Sequence, residues 1–270
     1  MISSIQAHRP LDGLTTFGTR SEADHYAEAG SLDELEAHLA EANANGLPVH
    51  FLGAGANTIA MSRVPGMTIR ITIKGVEMSA APNGDVLVKC GAGEVFDDIV
   101  ARTLKAGIGG LENLSAIPGT VGGAVVQNIG AYGCEAKDVI ERVHMFCTDN
   151  RSAMVIDAGH CCFGYRESIF KHELRGRVII TAVDIRLSRT PRPRLGYGDV
   201  EREVEARGGA TLRNIREAIC SIRRAKLPDP AVLGNAGSFF KNPVVEAPVA
   251  KRLLAEYPDM PHYAAPEGRV

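Results

Sequence analysis

The chain has no tryptophan, no Cys-x-x-Cys pair, no run of basic residues and no apolar stretch long enough to cross a bilayer. The first absence decides nothing. The second argues against a zinc site, because the six cysteines are scattered except for the adjacent Cys161 and Cys162. Six cysteines in 270 residues also fall short of a disulfide framework, so the expectation is reduced thiols in a cytoplasmic protein. With a formal net charge of −2 and no clustered Lys or Arg, nucleic acid is not an expected partner. A membrane is not expected either, and Met1 to Leu14 lacks the charged-then-apolar pattern of a signal peptide. No carboxylate pair is spaced for glycoside or metal chemistry. The eight histidines are dispersed and each reads as surface or packing, so no metal is expected. What is present is ordinary for a soluble globular protein: 45% apolar and 23% charged residues. That length allows one large domain or a few small lobes.

The most unusual stretch runs from Ile117 to Gly133. Gly119, Gly122, Gly123, Gly130 and Gly133 permit left-handed turns and close approach by another molecule. Pro118 fixes the direction of the chain as the stretch begins, and Gln127 and Asn128 add amide donors and acceptors among small residues. Such a belt suits main-chain N–H groups wrapped around a large, flat, polar ligand; a plain glycine-rich surface loop has the same composition. A second glycine turn, Gly53-Ala54-Gly55-Ala56-Asn57, follows the apolar run Pro48 to Leu52. Exposed N–H groups without side chains make it a phosphate-loop candidate. It is not the dinucleotide fingerprint, since Thr58 stands where the third glycine belongs. A tight turn between two strands reads equally well.

Elements can be placed around these stretches. Ser31 and Glu34 form a capping box for a helix carrying Leu32, Leu35, Leu39 and Ala42, closed by Gly46. Pro48–Leu52 reads as a buried strand, and Met67–Ile71 alternates like one. Val86–Cys90 reads as a strand and Glu94–Ala106 as a helix with Val95, Ile99 and Leu104 on one side. Val139–Ile156 is a hairpin turning at Asp149-Asn150-Arg151, and Val178–Leu187 is a further strand. Thr211 caps a helix that turns Ile215, Ala218, Ile219 and Ile222 inward and ends in Arg223, Arg224 and Lys226, where cations suit the helix dipole. Leu227-Pro228-Asp229-Pro230 stops it, and one short helix follows over Pro248–Tyr257. The pattern is mixed α+β rather than a regular βαβ series. Arg166 lies among aromatic and apolar residues, where a guanidinium wants a carboxylate or phosphate. An internal ion pair with Glu167 or Glu173 would also satisfy it. Tyr197, between Gly196 and Gly198, sits on a loop that could act as a lid or be a simple turn. Ser238 is not a nucleophile elbow, because Phe240 replaces the final glycine. Its plain reading is a backbone cap.

Six ordered blocks resemble the UDP-N-acetylenolpyruvoylglucosamine reductase family, also called UDP-N-acetylmuramate dehydrogenase or MurB. They are Leu52 to Asn57, Gly110 to Gly123, Gln127 to Gly133, Phe163 to Phe170, Lys226 to Pro230 and Asn235 to Pro243. The resemblance implies a two-lobed FAD-binding fold of the vanillyl-alcohol-oxidase (PCMH) kind plus an incomplete α+β substrate lobe. The order of elements sets the lobe boundaries at 1–74, 75–210 and 211–270. It implies FAD and NADPH as cofactors and UDP-N-acetylglucosamine enolpyruvate as substrate. Reduction of that substrate gives UDP-N-acetylmuramate for the cell wall, and thereby serves cell shape and division. It implies a cytoplasmic enzyme, expected to be a monomer.

The same resemblance assigns roles. Gly53, Ala54, Gly55, Ala56 and Asn57 would cradle the FAD pyrophosphate. Ile117, Pro118, Gly119, Gly122, Gly123, Gln127, Asn128, Gly130, Ala131 and Tyr132 would wrap the flavin. Ser238 would give a proton to the enolate carbon, Arg166 would stabilise the developing enolate, Tyr197 and Lys226 would hold the diphosphate, and Asn242 would help place the substrate. Two departures stand out. Ala56 replaces the family's more frequent serine. The family's sequence also continues past the position of Val270 into a segment bearing a catalytic glutamate, a role that falls on no residue here. The chain therefore reads as truncated, and its third lobe is expected to be weakly stable over 211–270. Alternatives are a relative that binds FAD or the UDP-sugar without turnover, and another flavoenzyme of the same fold.

Overall fold

The computed structural model, which describes residues 4–238 and 240–270, is framed by a four-stranded and a five-stranded sheet between residues 6 and 187. Phe239 of the Asn235–Pro243 block lies outside the described residues. Residues 1–237 and 238–270 form two compact units.

The first sheet is built from β1 (Gln6–Pro10), β2 (Glu22–Ala29), β3 (Val49–Leu52) and β4 (Arg63–Ile71), in the order β1-β2-β4-β3. β4 runs parallel to both β2 and β3, and β1 is antiparallel to β2. Helix α1 (Leu32–Ala44) makes the crossover from β2 to β3. Ser31 caps it as the sequence predicts, its Oγ accepting from the Glu34 N–H at 3.2 Å, but the Glu34 carboxylate does not close a strict capping box: it accepts from the Gly30 N–H at 2.8 Å rather than from the Ser31 N–H. Leu35 and Ala42 are buried, and so is His38, hydrogen-bonded to the Glu28 carbonyl at 3.1 Å. Leu32 instead faces out. The expectation of a buried strand at 48–52 needs correction. β3 is an edge strand, and only Leu52 is fully buried. β4 is an interior strand. Met67, Thr68 and Ile69 are buried in succession because parallel neighbours leave both its faces covered.

The second sheet is antiparallel: β5 (Val76–Ala80), β6 (Val86–Gly91), β9 (Ile140–Cys147), β10 (Ser152–Asp157) and β11 (Val178–Leu187). Its order is β10-β9-β11-β6-β5. Between β6 and β9 come α2 (Phe96–Lys105), α3 (Val121–Gln127) and a miniature hairpin, β7 (Gly130–Ala131) with β8 (Cys134–Glu135). Val88, Cys90, Val143, Met145, Val183 and Ile185 share the main core with Phe96, Ile99 and Val100 of α2 and Val121, Ala124 and Val125 of α3. Met67 and Ile69 of the first sheet belong to the same core. Val95, expected inside, is the exposed residue before α2.

Helix α3 was not expected inside a glycine-rich stretch. Thr120 caps it by accepting from the Gly123 N–H at 3.3 Å, and Asn128 ends it in the left-handed region with φ +42°. A Cβ at Gly122 would come within 3.0 Å of the Ala92 Cβ, so glycine lets α3 lie close against that segment.

Two further helices, α4 (Val200–Glu205) and α5 (Leu212–Lys226), pack on each other. Thr211 caps α5 through the Asn214 N–H at 3.1 Å. Ile215, Ala218, Ile219 and Ile222 are buried against Val200 and Val204. The apolar stripe of α5 is therefore covered, and the expected weakness of 211–270 does not extend to it. In the second unit, α6 (Ala247–Glu256) buries Ala250, and Val245 exchanges backbone hydrogen bonds with Val270 at 2.9 and 3.0 Å.

Candidate functional site

β3 delivers the chain to the turn at 53–57. Gly55 has φ +61°, and a Cβ there would stand 2.3 Å from the Leu14 carbonyl oxygen. The Thr16 N–H donates to the Gly55 carbonyl at 3.3 Å, so the 14–17 segment backs the turn. The start of the belt meets the turn from another side. A Cβ at Gly53 would lie 2.8 Å from Thr120 Oγ1, and one at Gly119 would lie 3.8 Å from the Ala56 Cβ. Two glycine segments more than sixty residues apart thus form one cradle. Among the described residues, no hydrogen bond engages the N–H groups of Ala54, Gly55, Ala56, Asn57, Gly119 or Thr120. Unengaged main-chain donors gathered in a segment of glycines and alanines are what an anionic oxygen cluster requires.

Farther along the belt, Asn128 is fully buried and commits its amide to the protein. Nδ2 donates to the Gly164 carbonyl at 2.7 Å and to Glu135 at 3.1 Å, and Oδ1 accepts from the Lys137 N–H at 3.0 Å. It thereby ties the belt to the turn that carries Arg166. That arginine sits at φ +57°, with Lys171 Nζ donating to its carbonyl at 2.7 Å. Its guanidinium donates to the carbonyls of Asn128 and Gly130, both belt residues. Among the described residues no carboxylate pairs with it; Glu167, one expected partner, lies 2.6 Å from His172. Two of five guanidinium donors are engaged, so the remaining N–H groups can serve a ligand. Ser168 fastens the same turn to the Val126 carbonyl at 2.7 Å.

Tyr197 lies edge-on to Tyr132, with centroids 6.0 Å apart and an interplanar angle of 88°. Arg194 anchors this loop by donating to the Gly133 carbonyl at 3.1 Å and to Asp138 at 2.7 Å. Asn113 bridges loop and belt, donating to the Tyr132 carbonyl at 2.8 Å and to the Arg194 carbonyl at 2.7 Å. Burial raises the Tyr132 hydroxyl pKa, although Arg223 beside it works the other way. Burial also pushes the Cys134 thiol up to about 11, so the belt's cysteine is not a thiolate at neutral pH.

Several residues that sequence reasoning passed over bind α5 to the belt. Arg216 forms a bidentate pair with Asp97 at 2.6 and 2.8 Å. Asp97 also accepts from the Ala116 N–H at 2.6 Å, and Arg223 Nε donates to the Ala116 carbonyl at 3.1 Å. Burial alone would raise Asp97, but the Arg216 and Ala116 hydrogen bonds outweigh it and hold the carboxyl below the usual carboxylate range. The only local signal was an unassigned arginine on a helix whose other face is apolar.

Lys226 is exposed at the end of α5, and Ser238 and Asn242 are exposed in the second unit. The 228–237 segment is tied to the cradle's backing, since the Asn235 N–H donates to the Thr16 carbonyl at 2.9 Å. A cavity of about 330 Å³ beside Gly110, Glu112, Glu141 and Arg186 is lined by none of the residues given a catalytic, cofactor or substrate role.

Comparison with known proteins places these features in context. A family model described as "FAD binding domain" matches residues 23–151. The chain is 43% identical over 269 residues to a UDP-N-acetylenolpyruvoylglucosamine reductase of Neisseria meningitidis serogroup C, covering 98% of this chain and 78% of that protein. Among solved structures it is similar to the UDP-N-acetylenolpyruvylglucosamine reductase (MurB) from Thermus caldophilus. That match has a TM-score of 0.63 and 26% identity, and covers 95% of this chain and 80% of the other. A cholesterol oxidase from Brevibacterium sterolicum shares the fold over 69% of this chain and 38% of its own, at a TM-score of 0.52 and 13% identity.

Proposed function

The chain belongs to the UDP-N-acetylenolpyruvoylglucosamine reductase family, and from that premise we propose how its own residues carry out the family's reaction. The reaction is the FAD-dependent, NADPH-driven reduction of UDP-N-acetylglucosamine enolpyruvate to UDP-N-acetylmuramate in peptidoglycan synthesis. The chemistry that FAD supplies when bound is transfer of a hydride from NADPH to the enolpyruvyl double bond. The protein supplies alignment, charge stabilisation and a proton.

The residues present fit that cofactor. The glycine- and alanine-rich cradle offers unengaged N–H groups to a pyrophosphate, Ala56 contributing its main chain alone. The belt from Ile117 to Tyr132 presents small residues to a flat ring system. Asn128 keeps the belt in shape and Arg166 is fastened to its carbonyls. The free N–H groups of Arg166 stabilise negative charge as it develops on the enolate. The Ser238 hydroxyl delivers its proton to the carbon beside the substrate carboxylate, while the hydride is added to the far carbon of the double bond. Tyr197 and Lys226 receive the diphosphate, Lys226 as a point charge, and Asn242 helps to hold the sugar nucleotide. We place this activity in the cytoplasm, the compartment of NADPH and nucleotide sugars, with the chain acting as a monomer. It thereby contributes to cell shape and division.

The observation that carries the reading is the meeting of Gly53 with Thr120 and of Gly119 with Ala56. It is tested by purifying the protein, identifying the released flavin, and following NADPH oxidation with and without the enolpyruvyl sugar nucleotide. Bound FAD with substrate-dependent oxidation supports it. A yellow protein with no such oxidation identifies a binding relative, and a protein that takes up no FAD overturns the reading.

A further inference from the structure

Belt and α5 are joined at two places. At the belt's start, Asp97 accepts the Ala116 N–H at 2.6 Å and the Arg216 fork at 2.6 and 2.8 Å. Arg223, two turns along the same helix, donates to the Ala116 carbonyl at 3.1 Å. Ala116 is therefore held on both sides, through its N–H and its carbonyl, and it adopts φ +58°, a region L-residues rarely occupy. At the far end of the belt Tyr132 packs into the cluster made by α4 and α5. Four residues past Ala116, Thr120 faces Gly53 in the cradle. In the other direction α5 ends at Lys226. One carboxylate thus stands between the segment that shapes the cofactor cradle and the helix that carries the proposed diphosphate contact.

We infer that Asp97 is a positioning residue that fixes the start of the flavin belt against α5, setting cofactor affinity and sugar-nucleotide affinity together. Asp97 touches neither ligand in this scheme. It acts through Ala116 and Arg216, and it rests on the reading of the cradle as an FAD site. A charge-assisted bidentate pair held by a carboxylate that also accepts a main-chain N–H is geometrically demanding, and an amide in its place loses the charge and one acceptor. The Ala116 peptide then relaxes toward ordinary backbone angles and the cradle N–H groups lose their alignment.

The test measures FAD affinity by titrating apoprotein, with steady-state kinetics at saturating FAD beside it. For Asp97→Asn, the FAD dissociation constant is expected to rise about tenfold and KM for the enolpyruvyl sugar nucleotide severalfold, with kcat little changed. Arg216→Gln is expected to match it, and the double variant to be no worse than either single one, because both changes break the same link. Arg216→Lys keeps the charge without the fork and is expected to show the same pattern at smaller size. It also serves should Asp97→Asn fail to fold. A purely structural carboxylate would give a lower melting temperature with FAD affinity and KM unchanged, and that result overturns the inference. So does additivity in the double variant. Failure of the wild-type chain to take up FAD sinks the parent reading and this one with it. FAD uptake by the wild type, together with equal affinity in Asp97→Asn, sinks this one alone.

Discussion

A single methyl group tests the cradle. Gly55 combines φ +61° with a Cβ position 2.3 Å from the Leu14 carbonyl oxygen, so alanine there faces both backbone strain and a backbone clash. Gly55→Ala is expected to cost at least about 2 kcal/mol of stability, and to reduce FAD uptake in whatever protein folds. Thermal melts and flavin content measured on the same preparation check this; unaltered values for both would remove the close approach from the argument. Arg166 poses a different question. Its planar fork reaches two belt carbonyls at once in a fixed geometry that a lysine ammonium does not reproduce. Arg166→Lys is expected to lower kcat about tenfold or more with a smaller change in KM, since the lost donors act on charge that develops only during reaction. A raised KM with kcat intact would assign Arg166 to binding instead. Residues of this kind were legible because glycines and an arginine among apolar neighbours carry their physics locally. Asp97 and Arg216 were not legible. They are 119 positions apart, and nothing in either local pattern announces the pair. The amide of Asn128 was readable as polar, but not as wholly occupied by its own protein.

At the scale of elements, the sequence was most informative where a cap and an apolar period agree. Thr211 and the Ile215–Ala218–Ile219–Ile222 stripe define α5, and Ser31 with Glu34 defines the start of α1. The hairpin of β9 and β10 turns where Asp149 to Arg151 said it would. Several elements escaped, β1, β2 and α3 among them. β1 is exposed throughout, and β2 is interrupted by polar residues such as His25 and Glu28. α3 was hidden by its two glycines, although Thr120 as a cap, Val121, Ala124 and Val125 at helical spacing and Asn128 as a stop were all present. Helix α5 shows what such packing contributes. Ile219 is fully buried in the cluster shared with α4, so Ile219→Ala is expected to cost about 3 kcal/mol. The same variant should increase amide exchange along α5, which hydrogen-exchange mass spectrometry can read. Little change in either would mean that α5 is held mainly by its arginine links to the belt, not by its apolar stripe.

At the scale of the molecule, apolar burial is unevenly divided. Among the described residues, the three buried clusters lie within residues 1–237, which include the cradle, the belt, Arg166 and α5. The 238–270 unit buries Ala250 among the described residues and leaves Phe240, Val244, Val249, Tyr257 and Tyr263 exposed. So little apolar burial means that this unit opens at low free-energy cost, whatever the stability of the rest. Ser238, the proposed proton donor, begins that unit, while the proposed cofactor site lies wholly in the other. Cofactor binding and turnover should therefore be separable by protease. Limited proteolysis of the FAD-loaded protein is expected to cut first between residues 238 and 270, leaving a large fragment that keeps its flavin spectrum and loses substrate-dependent NADPH oxidation. Mass spectrometry locates the cut, and gel filtration shows whether flavin stays with the fragment. First cleavage inside 1–237, or loss of flavin with the first cut, would mean that the cradle depends on the last 33 residues for its stability. Full turnover by the cut fragment, once freed of residues 238–270, would take the proton-donor role away from Ser238.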